Sequence, residues 1–122
     1  MEVKKLALNG LLEIRPVVYG DSRGYFFESF NKIRFNQAGI KDDFVQDNQS
    51  FSKKGTIRGL HFQISPHAQG KLVWVVSGKV LDVMVDLRKN SPDYGKHLKM
   101  PEKNTVGKPI YQHFSIVQTT RE

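Results

Sequence analysis

Gln46, Asn48, Arg58, His61 and Lys71 lie close together in the chain, and their side-chain types could do chemistry as a group. An arginine, a histidine and a lysine set among strand-forming residues are costly to bury unless something polar meets them. A neutral imidazole such as that of His61 can take a proton from a carbon next to a carbonyl. A lysine ammonium can stabilise the enolate oxygen that this step creates. The amides of Gln46 and Asn48 can read the hydrogen-bonding edge of a ligand. Taken singly, each has a duller explanation: surface polarity for the two amides, packing for a strand histidine. Their company argues for a site.

These residues need elements to hold them. Leu12 to Val18 reads as a strand broken by Pro16, which removes a ladder donor and suits an edge or an exchanged arm. Asp21-Ser22-Arg23-Gly24 reads as a turn, and Tyr25 to Phe30 as a strand with Phe26, Glu28 and Phe30 on one face. Alternation alone leaves Glu28 readable as an edge residue that reaches water. Asn31 can cap a short helix over 32–38, with Gly39 as its left-handed terminator. Phe44 to Phe51 and Thr56 to Gln63 alternate as strands. In a regular strand Arg58 and His61 face opposite ways, so a shared site predicts an irregularity at Gly59. Leu72 to Val76 and Val80 to Leu87 are valine-rich strands, with Ser77-Gly78 as a two-residue hairpin turn. That register sets Lys71 opposite Met84 and diagonal to Asp82 and Asp86, so that one aspartate would hold the lysine in place.

The 122 residues fit one domain, with short strands and closely spaced turns of the kind found in antiparallel sandwiches and barrels. The formal charge of +7 implies attraction to polyanions: nucleic acid, a membrane surface or a phosphorylated small ligand. A basic ridge interleaved with exposed aromatics is not evident, which argues against nucleic acid. Cysteine is absent, which excludes thiolate chemistry and fits the cytoplasm. The N-terminal run is too short for a signal peptide, and no stretch of roughly 18 apolar residues offers a membrane span.

Five segments in order carry a resemblance. They are Asp21-Ser-Arg-Gly-Tyr-Phe-Phe-Glu28, Phe44-Val-Gln-Asp-Asn-Gln-Ser50, Arg58-Gly-Leu-His-Phe-Gln63, Gln69-Gly-Lys-Leu-Val73, and Gly78-Lys-Val-Leu-Asp82 through Asp86-Leu-Arg88. Together, from about Leu11 to about His97, they resemble the dTDP-4-dehydrorhamnose 3,5-epimerases. The resemblance implies an all-β, cupin-like antiparallel jelly-roll barrel, a homodimer, and a cofactor-free isomerase. Its substrate would be dTDP-4-dehydro-6-deoxy-D-glucose, inverted at C3 and C5 on the way to dTDP-L-rhamnose. By the same resemblance His61 matches the catalytic base and Lys71 the cation at the C4 oxygen. Arg23 falls at the diphosphate, Phe26 at the nucleotide and Glu28 towards the thymine, with Gln46, Asn48 and Arg58 as further contacts.

The Arg58 to Gly78 region also resembles the first cupin motif, but Gln63 stands at its second histidine and Lys71 at its glutamate. A cation in place of an anionic ligand speaks against a metal. After Lys96 and His97 the resemblance stops, as a truncation or a shifted reading frame would make it. The family's later tyrosine acid, and the aspartate that pairs with its base, have no recognisable counterpart between Leu98 and Glu122. Leu98 to Lys108 shows no strand periodicity, and Tyr111 and His113 take no role. A divergent strand at Ile110 to Gln118 could partly close the barrel. The alternative to an active enzyme is therefore a cupin-like module that binds a dTDP-sugar with weak or no catalysis.

Overall fold

The computed structural model describes residues 1–102 and the backbone of 103–104 and of the strand Gln112–Ile116. Its strands are β1 (Glu2–Lys5), β2 (Leu11–Arg15), β3 (Val18–Asp21), β4 (Gly24–Phe27), β5 (Gly70–Trp74), β6 (Gly78–Val85), β7 (His97–Asn104) and β8 (Gln112–Ile116), with one helix, α1 (Lys32–Gln37). They form a four-stranded antiparallel sheet in the order β1-β2-β8-β5 and two antiparallel pairs, β3-β4 and β6-β7. The sheets do not close into a barrel among the described residues.

Local signals set several of these elements. β2 ends at Arg15, just before Pro16 removes the next ladder donor. The expected edge or exchanged arm is corrected, however, because β2 lies between β1 and β8. Asp21 and Gly24 face each other across the β3-β4 turn, where Asp21 Oδ1 accepts from the Arg23 amide at 2.8 Å. β4 stops at Phe27, so Glu28 and Phe30 lie beyond the strand expected to carry them. Asn31 caps α1 from extended backbone, its Oδ1 accepting from the Arg34 amide at 3.1 Å. Gly39 follows at φ 88°, the left-handed conformation that ends a helix at least cost for glycine.

Two apolar clusters hold the sheets. Ile14, Phe35 and Ile40 are buried together, with Val3, Leu12, Phe44 and Leu72 around them. The rings of Phe30, Phe35 and Phe44 meet edge to face beside this cluster. Leu8, Leu11 and Met84 form the second cluster, with Leu6, Leu98 and Met100. Along β2, Leu12 and Ile14 thus face α1, while Leu11 faces Met84 of β6. The large sheet is thereby covered on both sides.

The pairing departs from sequence expectation in three places. β5 and β6 do not form a hairpin: Lys71 pairs with Ser115 and Met84 with Leu98. β8 takes the free edge of β5, so the chain crosses to another sheet at Ser77-Gly78 and the diagonal from Lys71 to Asp82 and Asp86 is not formed. The stretch expected to lack strand periodicity contains β7, which runs the full length of β6. Finally, Phe44 to Phe51 and Thr56 to Gln63 are not strands. No described strand offers them a ladder, and Val45, Phe51, Ile57 and Leu60 are exposed. Gly59, at φ 106°, carries the expected irregularity in a loop and not in a strand.

Candidate functional site

The β3-β4 turn builds an exposed ion pair. Besides holding the Arg23 amide, Asp21 grips its guanidinium: Nη2 reaches Oδ2 at 2.6 Å and Nε lies 3.2 Å from the same oxygen. The hydrogen bonds from Arg23 hold the Asp21 carboxyl below the usual carboxylate range, and the carboxylate raises the guanidinium in turn. Arg23 nevertheless remains largely in solvent. Tyr19, Gly20, Phe26 and this ion pair line an open depression. Tyr25 also lines it and stacks on Phe27, which meets Trp74 of β5 edge-on, 5.8 Å between centroids. That contact fixes the hairpin against the strand that bears Lys71.

Glu28 follows β4 and is held from α1. Asn31 Nδ2 donates to its Oε2 at 3.2 Å, and Arg34 Nη1 lies 3.4 Å from Oε1. Gln46 and Asn48 face the same way, with the Gln46 amide donating to Asn48 Oδ1 at 3.4 Å. Arg58 folds back on its own loop, Nε donating to Ser52 Oγ at 2.9 Å and Nη2 to the Phe51 carbonyl at 3.2 Å.

His61 is exposed just past Gly59, where an added Cβ would sit 3.4 Å from the His61 amide nitrogen. Lys71 is exposed on β5, two rungs across β8 from Leu11. Residues directly opposite share a face, so Lys71 lies on the side of the sheet that faces β6, away from α1. Among the described residues no hydrogen bond or ion pair joins His61, Lys71, Arg58 and Arg23 to one another.

The aspartates expected to steady Lys71 serve elsewhere. Asp86 Oδ1 accepts from the Arg88 amide and Nε, both at 2.9 Å, while Oδ2 accepts from Arg88 Nη2 at 2.5 Å and Ser91 Oγ at 2.6 Å. The Arg88 bonds above all, with help from Ser91, hold the Asp86 carboxyl down to about 2. Arg88 also donates to the Asn9 carbonyl, and Asp93 accepts from the Asn9 amide at 3.0 Å, tying the β6-β7 loop to the β1-β2 loop. Asp82, opposite Met100, belongs to the β6-β7 pair.

Compared with known proteins, residues 5–111 match the family model for dTDP-4-dehydrorhamnose 3,5-epimerase. The chain belongs to the dTDP-4-dehydrorhamnose 3,5-epimerase family. It is similar to the dTDP-4-dehydrorhamnose 3,5-epimerase of Shigella flexneri, 55% identical over 97 residues that make up 79% of this chain and 54% of that protein. The crystal structure of the family member from Elizabethkingia anophelis NUHP1 superposes with a TM-score of 0.79 at 39% identity, over 97% of this chain and 68% of that one. The dTDP-6-deoxy-D-glucose-3,5-epimerase of Legionella pneumophila Philadelphia 1, in complex with dTDP-4-keto-L-rhamnose, gives 0.79 at 40% identity, over 96% and 65%. The chain spans about half the length of the curated relatives it matches. The cupin-like jelly-roll fold expected from the sequence is the fold of this family member.

Family motifs supplied the candidate site residues, but not what holds them. Sequence reasoning missed Asp21 as the partner of Arg23, Asn31 and Arg34 as the partners of Glu28, and the Arg88-Ser91 grip on Asp86. One signal was present: Asp-x-Arg occurs at 21–23 and at 86–88, and both times the aspartate bonds the arginine's amide and guanidinium together. Among the described residues no three histidines, aspartates or glutamates gather as a metal site, and no helix is long and apolar enough to cross a membrane.

Proposed function

We propose that this protein acts in the epimerisation of dTDP-4-dehydro-6-deoxy-D-glucose at C3 and C5 on the route to dTDP-L-rhamnose, without a cofactor. The observation that carries this reading is the family match across residues 5–111, which includes every proposed site residue. C3 and C5 both flank the C4 ketone. His61 takes the proton from carbon, the electron pair moves to the C4 oxygen as an enolate, and the Lys71 ammonium stabilises that oxygen. Reprotonation from the opposite face inverts the centre. Arg23 serves the diphosphate and Phe26 the nucleotide, Glu28 reaches towards the thymine, and Gln46, Asn48 and Arg58 make the remaining contacts.

The acting form is a homodimer in the cytoplasm, with no nucleic acid and no membrane as partner. Exposed Val45, Phe51, Ile57 and Leu60 support the dimer, since a second subunit would remove them from water. A second reading, a dTDP-sugar-binding module with weak or no turnover, is favoured by one observation. No described residue hydrogen-bonds or ion-pairs with His61, whereas a general base is ordinarily oriented by a neighbour. The two readings separate in a turnover assay that follows the dTDP-sugar product. An enzyme forms product that the His61→Ala variant does not, and a binding module retains dTDP while forming none.

A further inference from the structure

We infer that Asn31 and Arg34 are positioning residues for nucleotide recognition: they hold the Glu28 carboxylate from the start of α1. This rests on the reading that Glu28 contacts the nucleotide. Glu28 lies just beyond β4, so the sheet does not fix its backbone, and its side chain is about two-fifths exposed. A free glutamate there would sample several rotamers. Instead each carboxylate oxygen has its own partner, Asn31 Nδ2 on Oε2 at 3.2 Å and Arg34 Nη1 on Oε1 at 3.4 Å. Asn31 is the cap of one short helix and Arg34 its third residue.

That helix is itself fixed. Phe35 is buried with Ile14 and Ile40, and Asn31 Oδ1 caps the Arg34 amide. Asn31 thus uses both ends of its amide: the oxygen starts the helix and the nitrogen holds Glu28. Serine, aspartate and asparagine cap about equally well, but only asparagine also offers an amide donor. The choice of Asn at this position is explained by the second bond.

The distinction can be measured in the full chain with two probes, dTDP and inorganic pyrophosphate. Asn31→Ser keeps the cap and removes the donor; Arg34→Ala removes the second grip. Each should weaken dTDP by about 3- to 10-fold, the worth of one orienting hydrogen bond. Pyrophosphate affinity and the melting temperature should stay as they are, and Arg34→Lys should recover part of the loss. Added to Glu28→Ala, neither change should weaken dTDP further. If Glu28→Ala weakens dTDP while Asn31→Ser and Arg34→Ala do not, the positioning role is wrong and the Glu28 contact stands. If Glu28→Ala leaves dTDP affinity intact, the contact itself is wrong and the inference falls with it.

Discussion

Replacing Asp86 with asparagine should loosen the whole molecule, and the effect should fade in acid. Asp86 is only 6% exposed and accepts from Arg88 and Ser91. Its carboxyl is lowered from 3.8 to about 2, a gap of nearly two units, equivalent to about 2 kcal/mol of native-state stability. Because the folded value lies below the unfolded one, that stability is fully present above about pH 4. It drains away as pH falls towards 2. That figure already contains the Arg88 contact, because the Arg88 bonds are the largest cause of the lowering. At pH 7 the loss should be about 2 kcal/mol, or a fall in melting temperature on the order of 10 °C. Urea unfolding of both proteins from pH 7 down to pH 2 measures it. The gap should narrow steadily below pH 4. A gap that stays constant across that range, or a variant as stable as the parent at pH 7, would refute the reasoning.

Other expectations follow from the same contacts. Ile14→Ala empties the centre of the α1 cluster and should cost about 2–5 kcal/mol; a urea midpoint shifted by less than a fifth of the parent's would argue that this cluster is not the core. Lys71→Gln removes the cation proposed to stabilise the enolate and should lower turnover ~10²- to 10³-fold, with dTDP affinity within about 3-fold of the parent by calorimetry; equal losses in both would reassign Lys71 to binding. Gly39→Ala puts a Cβ at φ 88° and should lower stability by about 1 kcal/mol, read from thermal unfolding; an unchanged melting curve would show that the left-handed turn is not needed.

What could be read from the sequence was what is decided locally. Asn31, Gly39 and the Asp21 to Gly24 turn act within a few residues of themselves, and the structure has them where their chemistry puts them. Strand pairing is decided between distant segments. Valine-rich 72–76 and 80–87 with Ser77-Gly78 between them looked like a hairpin, but β8, from the far end of the chain, takes the edge of β5. No signal near residue 77 reports on that competitor. Phe44 to Phe51 alternates as a strand should, yet alternation names a face and not a partner. The site divides the same way. His61, Lys71 and Glu28 could be picked out as candidates by motif, whereas the grip of Asn31 and Arg34 on Glu28 depends on how the chain turns after β4.

The most direct test of His61 as the base that takes the proton is deuterium exchange. The protein is incubated in heavy water with dTDP-4-dehydro-6-deoxy-D-glucose, and deuterium at C3 and at C5 is followed separately by NMR. The expected result is incorporation at both carbons, lost at both with His61→Ala. Exchange at neither carbon, in a protein that still binds dTDP, would contradict the epimerase reading and leave a nucleotide-sugar-binding member of the family.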